Sequence, residues 1–219
     1  MLKDGLIKVW GRNTSANVQK VMWTVAELGL PHERIDAGLH HGVVNTPEYA
    51  AMNPNRLIPT IDDNGFTLWE SSTIIRYLTR KYGTGGLMPA NEQDATRADQ
   101  WMEWAGSTIY PDIIGSIFLG LIRTPAKSRN TAAIETSIKR VGEKLGILDG
   151  VLANRPYILG DTFTVADIPA GGIMYRYFTM PIARPSLPNV ESWYARLAER
   201  PAYRDHVMID YSALRVEGA

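Results

Sequence analysis

At 219 residues with 45% hydrophobic content, the chain can bury the core of one large or two small domains. Its 23 basic residues balance 23 acidic ones with no basic block, which excludes the electrostatic footprint of a nucleic-acid binder. Cysteine is absent, which removes disulfides, thiolate metal sites and a cysteine nucleophile. Any thiol in this protein's chemistry must therefore arrive with a ligand.

The start, MLKDGLIKVW, lacks the long apolar stretch of a signal peptide, so a cytoplasmic location is expected. Leu6 to Trp10 reads as a strand and Gly11 to Asn17 as a polar loop. Val18, Val21, Met22, Val25 and Leu28 then form the stripe of a helix packed on a sheet, ended by Gly29 and Pro31. His32 to Asp36 returns as a second strand, giving a right-handed βαβ unit. Ala37 to Asn45 is irregular, and Thr46-Pro47 supplies the N-cap and first residue of a short helix through Met52.

The most informative stretch is Asn53 to Leu78, NPNRLIPTIDDNGFTLWESSTIIRYL. Ile58-Pro59 opens a strand at Thr60 to Asp62, where a proline is tolerated because no ladder N–H is needed; the bond is open to cis geometry. Asn64-Gly65 supplies the positive φ values of a tight hairpin, pairing that strand with Phe66 to Trp69. Glu70-Ser71-Ser72 precedes Ile74, Ile75, Leu78 and Tyr82 at helical spacing, which makes the serines N-cap candidates. A helix start with free N–H groups and hydroxyls beside a carboxylate can also hold a zwitterion. The amides and Ser71 would take its carboxylate and Glu70 its ammonium. The plainer reading is that the serines only cap and Glu70 is solvated.

Gly83 to Asn91, with Gly85, Gly86 and Pro89, reads as a linker. Beyond it strand signals largely stop. Asp94 to about Arg123 is helical in pattern, with kinks expected at Pro111 and Gly115. The apolar run Ile113 to Ile122 is too short to span a bilayer, so no transmembrane segment and no membrane partner are expected. Ile134, Ile138, Val141, Leu145, Leu148 and Leu152 mark a second long bundle helix. Thr164 and Asp167 form a capping-box variant, each able to satisfy the other's backbone N–H. Val190 to Glu199 predicts a further helix before a tail containing Pro201.

The order βαβ, α, ββα, the Ile-Pro-Thr-Ile hairpin and the following Glu70-Ser71 resemble the glutathione-binding half of cytosolic glutathione S-transferases. The segment Tyr157 to Asp167 resembles that family's folding signature, and the match covers nearly the whole chain. Within the family it is similar to bacterial serine-, threonine- or asparagine-type, theta- or nu-like members. The resemblance implies an α/β thioredoxin-like domain followed by an all-α helical bundle domain. The expected divisions are a glutathione-binding domain at 1–83, a linker at 84–93 and a substrate-binding domain at 94–219. It implies a detoxifying transferase that attacks a small hydrophobic electrophile with glutathione thiolate, working as a homodimer without a metal.

By the same resemblance, Ile58 before Pro59 pairs through its backbone with the cysteinyl part of glutathione, and Glu70-Ser71 holds the γ-glutamyl end. Ser15 falls where serine-type members place the hydroxyl that faces the sulfur, with Asn17 second and Thr14 third. The competing role for all three is helix capping. The loop has no tyrosine, so a tyrosine-type site would have to draw on Tyr110 or Tyr175. The glycine carboxylate needs a cation or donors; Leu57 stands where relatives often carry a basic residue, and with Arg56 before it able to point away, His40 or His41 is left to reach the carboxylate. Trp104, Tyr110, Ile114 and Phe118 are candidates to line the electrophile site, with core packing as the alternative. His40, His41 and Glu48 lack the spacing of metal ligands. Two other readings stay open: a glutathione-dependent disulfide reductase or peroxidase, and a scaffold that keeps the fold without turnover.

Overall fold

The computed structural model of the chain describes residues 5–217; the outermost residues of the expected first and last divisions lie outside the described residues. Four strands form one sheet in the order β2-β1-β3-β4, from β1 (Ile7–Trp10), β2 (His32–Ile35), β3 (Thr60–Asp63) and β4 (Phe66–Trp69). β1 and β2 run parallel because helix α1 (Ala16–Glu27) crosses between them; the β3 and β4 pairings are antiparallel. Asn64 at φ 53° and Gly65 at φ 87° make the predicted hairpin. α1 packs on α3 (Ser71–Tyr82), and Val18, Val21, Val25, Ile74, Ile75 and Leu78 are buried between helices and sheet.

The register decides where the loops meet. Ile35 pairs with Trp10, Trp10 with Thr60 and Thr60 with Trp69, so one row crosses the sheet at the same end. The segments after β1, β2 and β4 and before β3 all emerge from that row. The last of these is held by α2 (Pro47–Met52), whose Thr46 cap accepts the Tyr49 N–H at 3.2 Å. The Tyr49 hydroxyl and Asn53 amide donate to the Leu57 carbonyl at 2.7 and 2.9 Å, fixing the chain just before the cis Ile58–Pro59 bond.

The rest is helical. α4 (Glu92–Trp104) continues through two π-helical stretches, Ala105–Ile109 and Pro111–Phe118, into α5 (Leu119–Ile122). At Pro111 and Gly115, where kinks were expected, the helix widens into π turns. Pro111 has no N–H to give and crowds the preceding turn, and looser turns accommodate it. The Ile113–Ile122 run belongs to a longer helix, Glu92–Ile122, which by length and composition alone could cross a bilayer, a test that a buried core helix also passes. Its Met102, Ile109, Ile113, Ile117 and Phe118 are buried in the core, against α6 (Thr131–Leu152) and α7 (Asp167–Thr179).

Asp167 is fully buried and accepts from the Ile158 and Thr164 N–H groups, the Trp193 indole and the Thr164 hydroxyl. Only half of the expected capping box is present, since the Thr164 hydroxyl donates to the carboxylate while the Asp167 N–H goes to the Thr164 carbonyl. α8 (Pro188–Ala198) follows, and the expected tail contains a further helix, α9 (Pro201–His206), started by Pro201 at its first turn. α1 packs against both α7 and α9, and Arg200 pairs with Glu27 at 2.6 Å, tying the helical part to the sheet part. The architecture is a thioredoxin-like α/β unit joined to an all-α unit.

Candidate active site

Two helix N-termini converge at the end of the sheet. Ser15 is the N-cap of α1 at φ −88°, ψ 123°, yet its hydroxyl makes no capping bond. It is 9% exposed. Capping alone therefore does not explain this serine, and its hydroxyl is free to meet a ligand. At α3 the boundary differs from the expected one: Glu70 is the N-cap at φ 70°, ψ 111°, and Ser71 is the first helical residue. Neither serine caps the helix. Ser71 Oγ donates instead to Asn17 Oδ1 at 3.3 Å, and the first amides of α3 stay without intrahelical partners. A glutamate held at positive φ is strained, a condition that clusters at functional sites. Asn17 also lies close enough to the Tyr110 phenol to counter, in part, the effect of burial on its pKa, so it sits between α1, α3 and the π-helical stretch.

Beside Ser15 lies a cavity of about 170 Å³. Thr14, Tyr110, Ile114 and Phe118 line it, with Arg12, Arg123 and Arg176. Trp104 is not among its walls and packs against Trp101 at 5.1 Å. Tyr175 likewise lies outside the lining, with its ring near Tyr211. Arg176 donates to the Thr14 carbonyl at 2.7 Å and stacks its guanidinium 4.4 Å from the Phe118 ring, pinning the β1–α1 loop to α7. Burial brings its pKa down to about 10. Burial also raises the Tyr110 phenol, keeping it neutral.

Lys20 is the second buried cation here. It is 3% exposed, with its ammonium 5.1 Å from the Tyr110 ring centre. Burial lowers its pKa to about 8, opposed by the negative charge of Glu70. Its stem fits against Gly172, where an added Cβ would meet Lys20 Cγ at 2.6 Å.

His40 and His41 sit in a short 3₁₀ turn at the same end of the sheet, exposed, their rings 3.9 Å apart. His41 is 3.9 Å from Asp36. Arg56, at φ 54°, and Leu57 are exposed; none of these four lines the cavity. Local reading singled out neither Arg12, Lys20, Arg123 nor Arg176. Arg12 lies in the loop already flagged as polar, which was the one available signal. Arg176 and Lys20 carry none, since each occupies an ordinary position on a helix.

A thioredoxin-like sheet joined to a helical bundle that walls a cavity at the start of the first helix is the plan of a thiol-handling transferase. The glutathione S-transferase N-terminal domain model matches residues 14–81, and the C-terminal domain model matches residues 109–201. Glutathione S-transferase GstB of Escherichia coli K12 is 40% identical over 209 residues, 94% of this chain and 100% of that protein. Glutathione S-transferase 3 of Zea mays is 30% identical, covering 92% and 93%. Among solved structures, the theta class glutathione S-transferase from Xanthomonas axonopodis pv. citri with glutathione bound superposes with a TM-score of 0.88. It is 40% identical, with 94% of this chain and 99% of that one covered. Bombyx mori glutathione transferase BmGSTD1 gives 0.84 at 29% identity, with 95% and 96% covered. The chain belongs to the glutathione S-transferase family.

Proposed function

We propose that this chain binds glutathione across Ile58–Pro59 and Glu70–Ser71, stabilises its sulfur as a thiolate at Ser15, and delivers it to a small electrophile seated against Tyr110, Ile114 and Phe118. In this reading the sheet-bearing part, to about residue 83, holds glutathione, and the helical part from about residue 94 shapes the electrophile site. Asn17 orients Ser71 and the Tyr110 hydroxyl around the ligand, and His40, His41 or Arg56 meets the glycine carboxylate at the edge. The enzyme works as a homodimer in the cytoplasm; a monomer mass by light scattering would overturn the first point.

The observation that carries the reading is the uncommitted Ser15 hydroxyl at a helix N-terminus beside a cavity. An unperturbed thiol titrates at about 8.5. Lowering it by roughly two units needs about 2.7 kcal/mol of preference for the anion. A hydroxyl donor plus the positive end of α1 can supply that much. The test is a pH titration of bound glutathione followed by the thiolate's ultraviolet difference absorbance. A thiolate band well below the free thiol's range supports the reading. Glutathione binding with no such band would overturn the thiolate mechanism, and no binding would overturn the site.

A further inference from the structure

The walls of the cavity beside Ser15 carry charge as well as apolar surface. Arg12, Arg123 and Arg176 border it together with Ser15, and among the described residues no aspartate or glutamate does. None of the three takes part in an ion pair among those residues. Arg12 Nε is buried and, among the described residues, without a hydrogen-bond partner. Among the described residues Arg123 reaches only the Leu214 carbonyl, at 3.4 Å. The groups feel one another: burial first, then the charge of Arg123, lowers the Arg12 pKa.

Arg176 is buried and Arg12 and Arg123 are partly so; like charges drawn together away from water without a counter-ion are unfavourable, and an anion would complete the arrangement. Guanidinium groups are suited to the task, since their planar forks match the two oxygens of a carboxylate. Arg123 follows α5 and Arg176 belongs to α7, so two of the three come from the helical part, on the electrophile's side of Ser15.

We propose that the electrophile of this site is a small carboxylate, gripped by Arg12 and Arg123 with Arg176 behind them, so that its reactive carbon faces the sulfur at Ser15. The inference rests on the transferase reading above and narrows its substrate class. For a 2-halocarboxylate the thiolate sulfur attacks the carbon bearing the halogen. The new C–S bond forms from the sulfur's electron pair, the C–X bond breaks, and halide leaves with the bonding pair of C–X. The thiol's proton has already passed to solvent.

The test compares iodoacetate with iodoacetamide, which share shape and leaving group and differ in charge. With the uncatalysed rate subtracted, kcat/KM should favour iodoacetate at least tenfold, although the amide is the better electrophile in solution. Arg12→Gln and Arg123→Gln should each lower the iodoacetate-to-iodoacetamide ratio at least tenfold. Turnover of iodoacetamide with no preference for iodoacetate would sink the proposal and leave the transferase reading standing. Arginine variants that raise the glutathione KM equally against both probes would also overturn it, by assigning these cations to glutathione's own carboxylate.

Calorimetry gives a readout that needs no turnover: S-carboxymethylglutathione should bind at least tenfold tighter than S-methylglutathione. Equal affinities would count against the carboxylate grip. Failure of both conjugates to bind would remove the glutathione site itself, and the proposal with it.

Discussion

The sharpest physical test of this structure is Lys20→Met, which keeps the buried stem and removes the charge. The ammonium is 3% exposed and its pKa falls from its usual 10.5 to about 8. That drop corresponds to about 3 kcal/mol of penalty on the charged form in the folded protein. Below pH 8 both folded and unfolded lysine are charged and the penalty is full. Between about 8 and 10.5 the folded protein has lost the proton while the unfolded chain still holds it, so stability rises with pH across that window. Above it both are neutral and the penalty is gone.

Removing the charge should therefore raise unfolding stability by roughly 1–3 kcal/mol at pH 7. The lower end allows for the lost attraction to the Tyr110 ring. By pH 10 most of the gain should have disappeared. Urea unfolding of both proteins at pH 7 and pH 10 measures this, and titrations common to the two cancel in the difference. A variant less stable than the parent at pH 7, or a gain independent of pH, would refute the assignment of a strained buried cation.

Ser15→Ala should lower kcat roughly 10- to 100-fold, since a hydrogen bond to a charged group is worth about 1.5–3 kcal/mol. The glutathione KM should stay within about twofold; steady-state kinetics decide it, and an unchanged kcat would refute the role. Ser71→Ala should weaken glutathione binding by about tenfold in calorimetry, through loss of a charge-assisted bond and of the contact with Asn17. Unaltered affinity there would displace the ligand from α3. Asp167→Ala should destabilise by about 3 kcal/mol or more, because the Ile158 and Thr164 amides and the Trp193 indole lose their acceptor. Burial outweighs those bonds and lifts the Asp167 carboxyl to about 6. The titration therefore adds stability as pH falls through about 6, and urea unfolding should find the deficit of the variant larger at pH 5 than at pH 7.

Much of this protein is dictated locally. The Thr46-Pro47 helix start, the Asn64-Gly65 hairpin, the Ile58-Pro59 strand entry and the apolar stripes of α1, α3 and α6 follow from dihedral limits and side-chain periodicity. These are properties that neighbouring residues hold among themselves. Ser15, Asn17, Glu70 and Ser71 were visible locally only as polar residues at two helix starts, and the ligand roles given to them rest on the family resemblance. Which of them caps was not legible, because that depends on a φ of 70° at Glu70 and on Asn17 drawing the Ser71 hydroxyl across from another helix.

The charge at the site escaped local reading altogether. Arg12, Arg123 and Arg176 come from a loop, a helix end and a helix interior, and become one cationic wall only when α7 closes against α1. Lys20 is an unremarkable helix position until Gly172, from α7, leaves room for its stem and shuts out water. Burial and mutual charge are sums over distant segments, so the tertiary structure alone decided them, whereas turns, caps and periodicity were fixed within a few residues of chain.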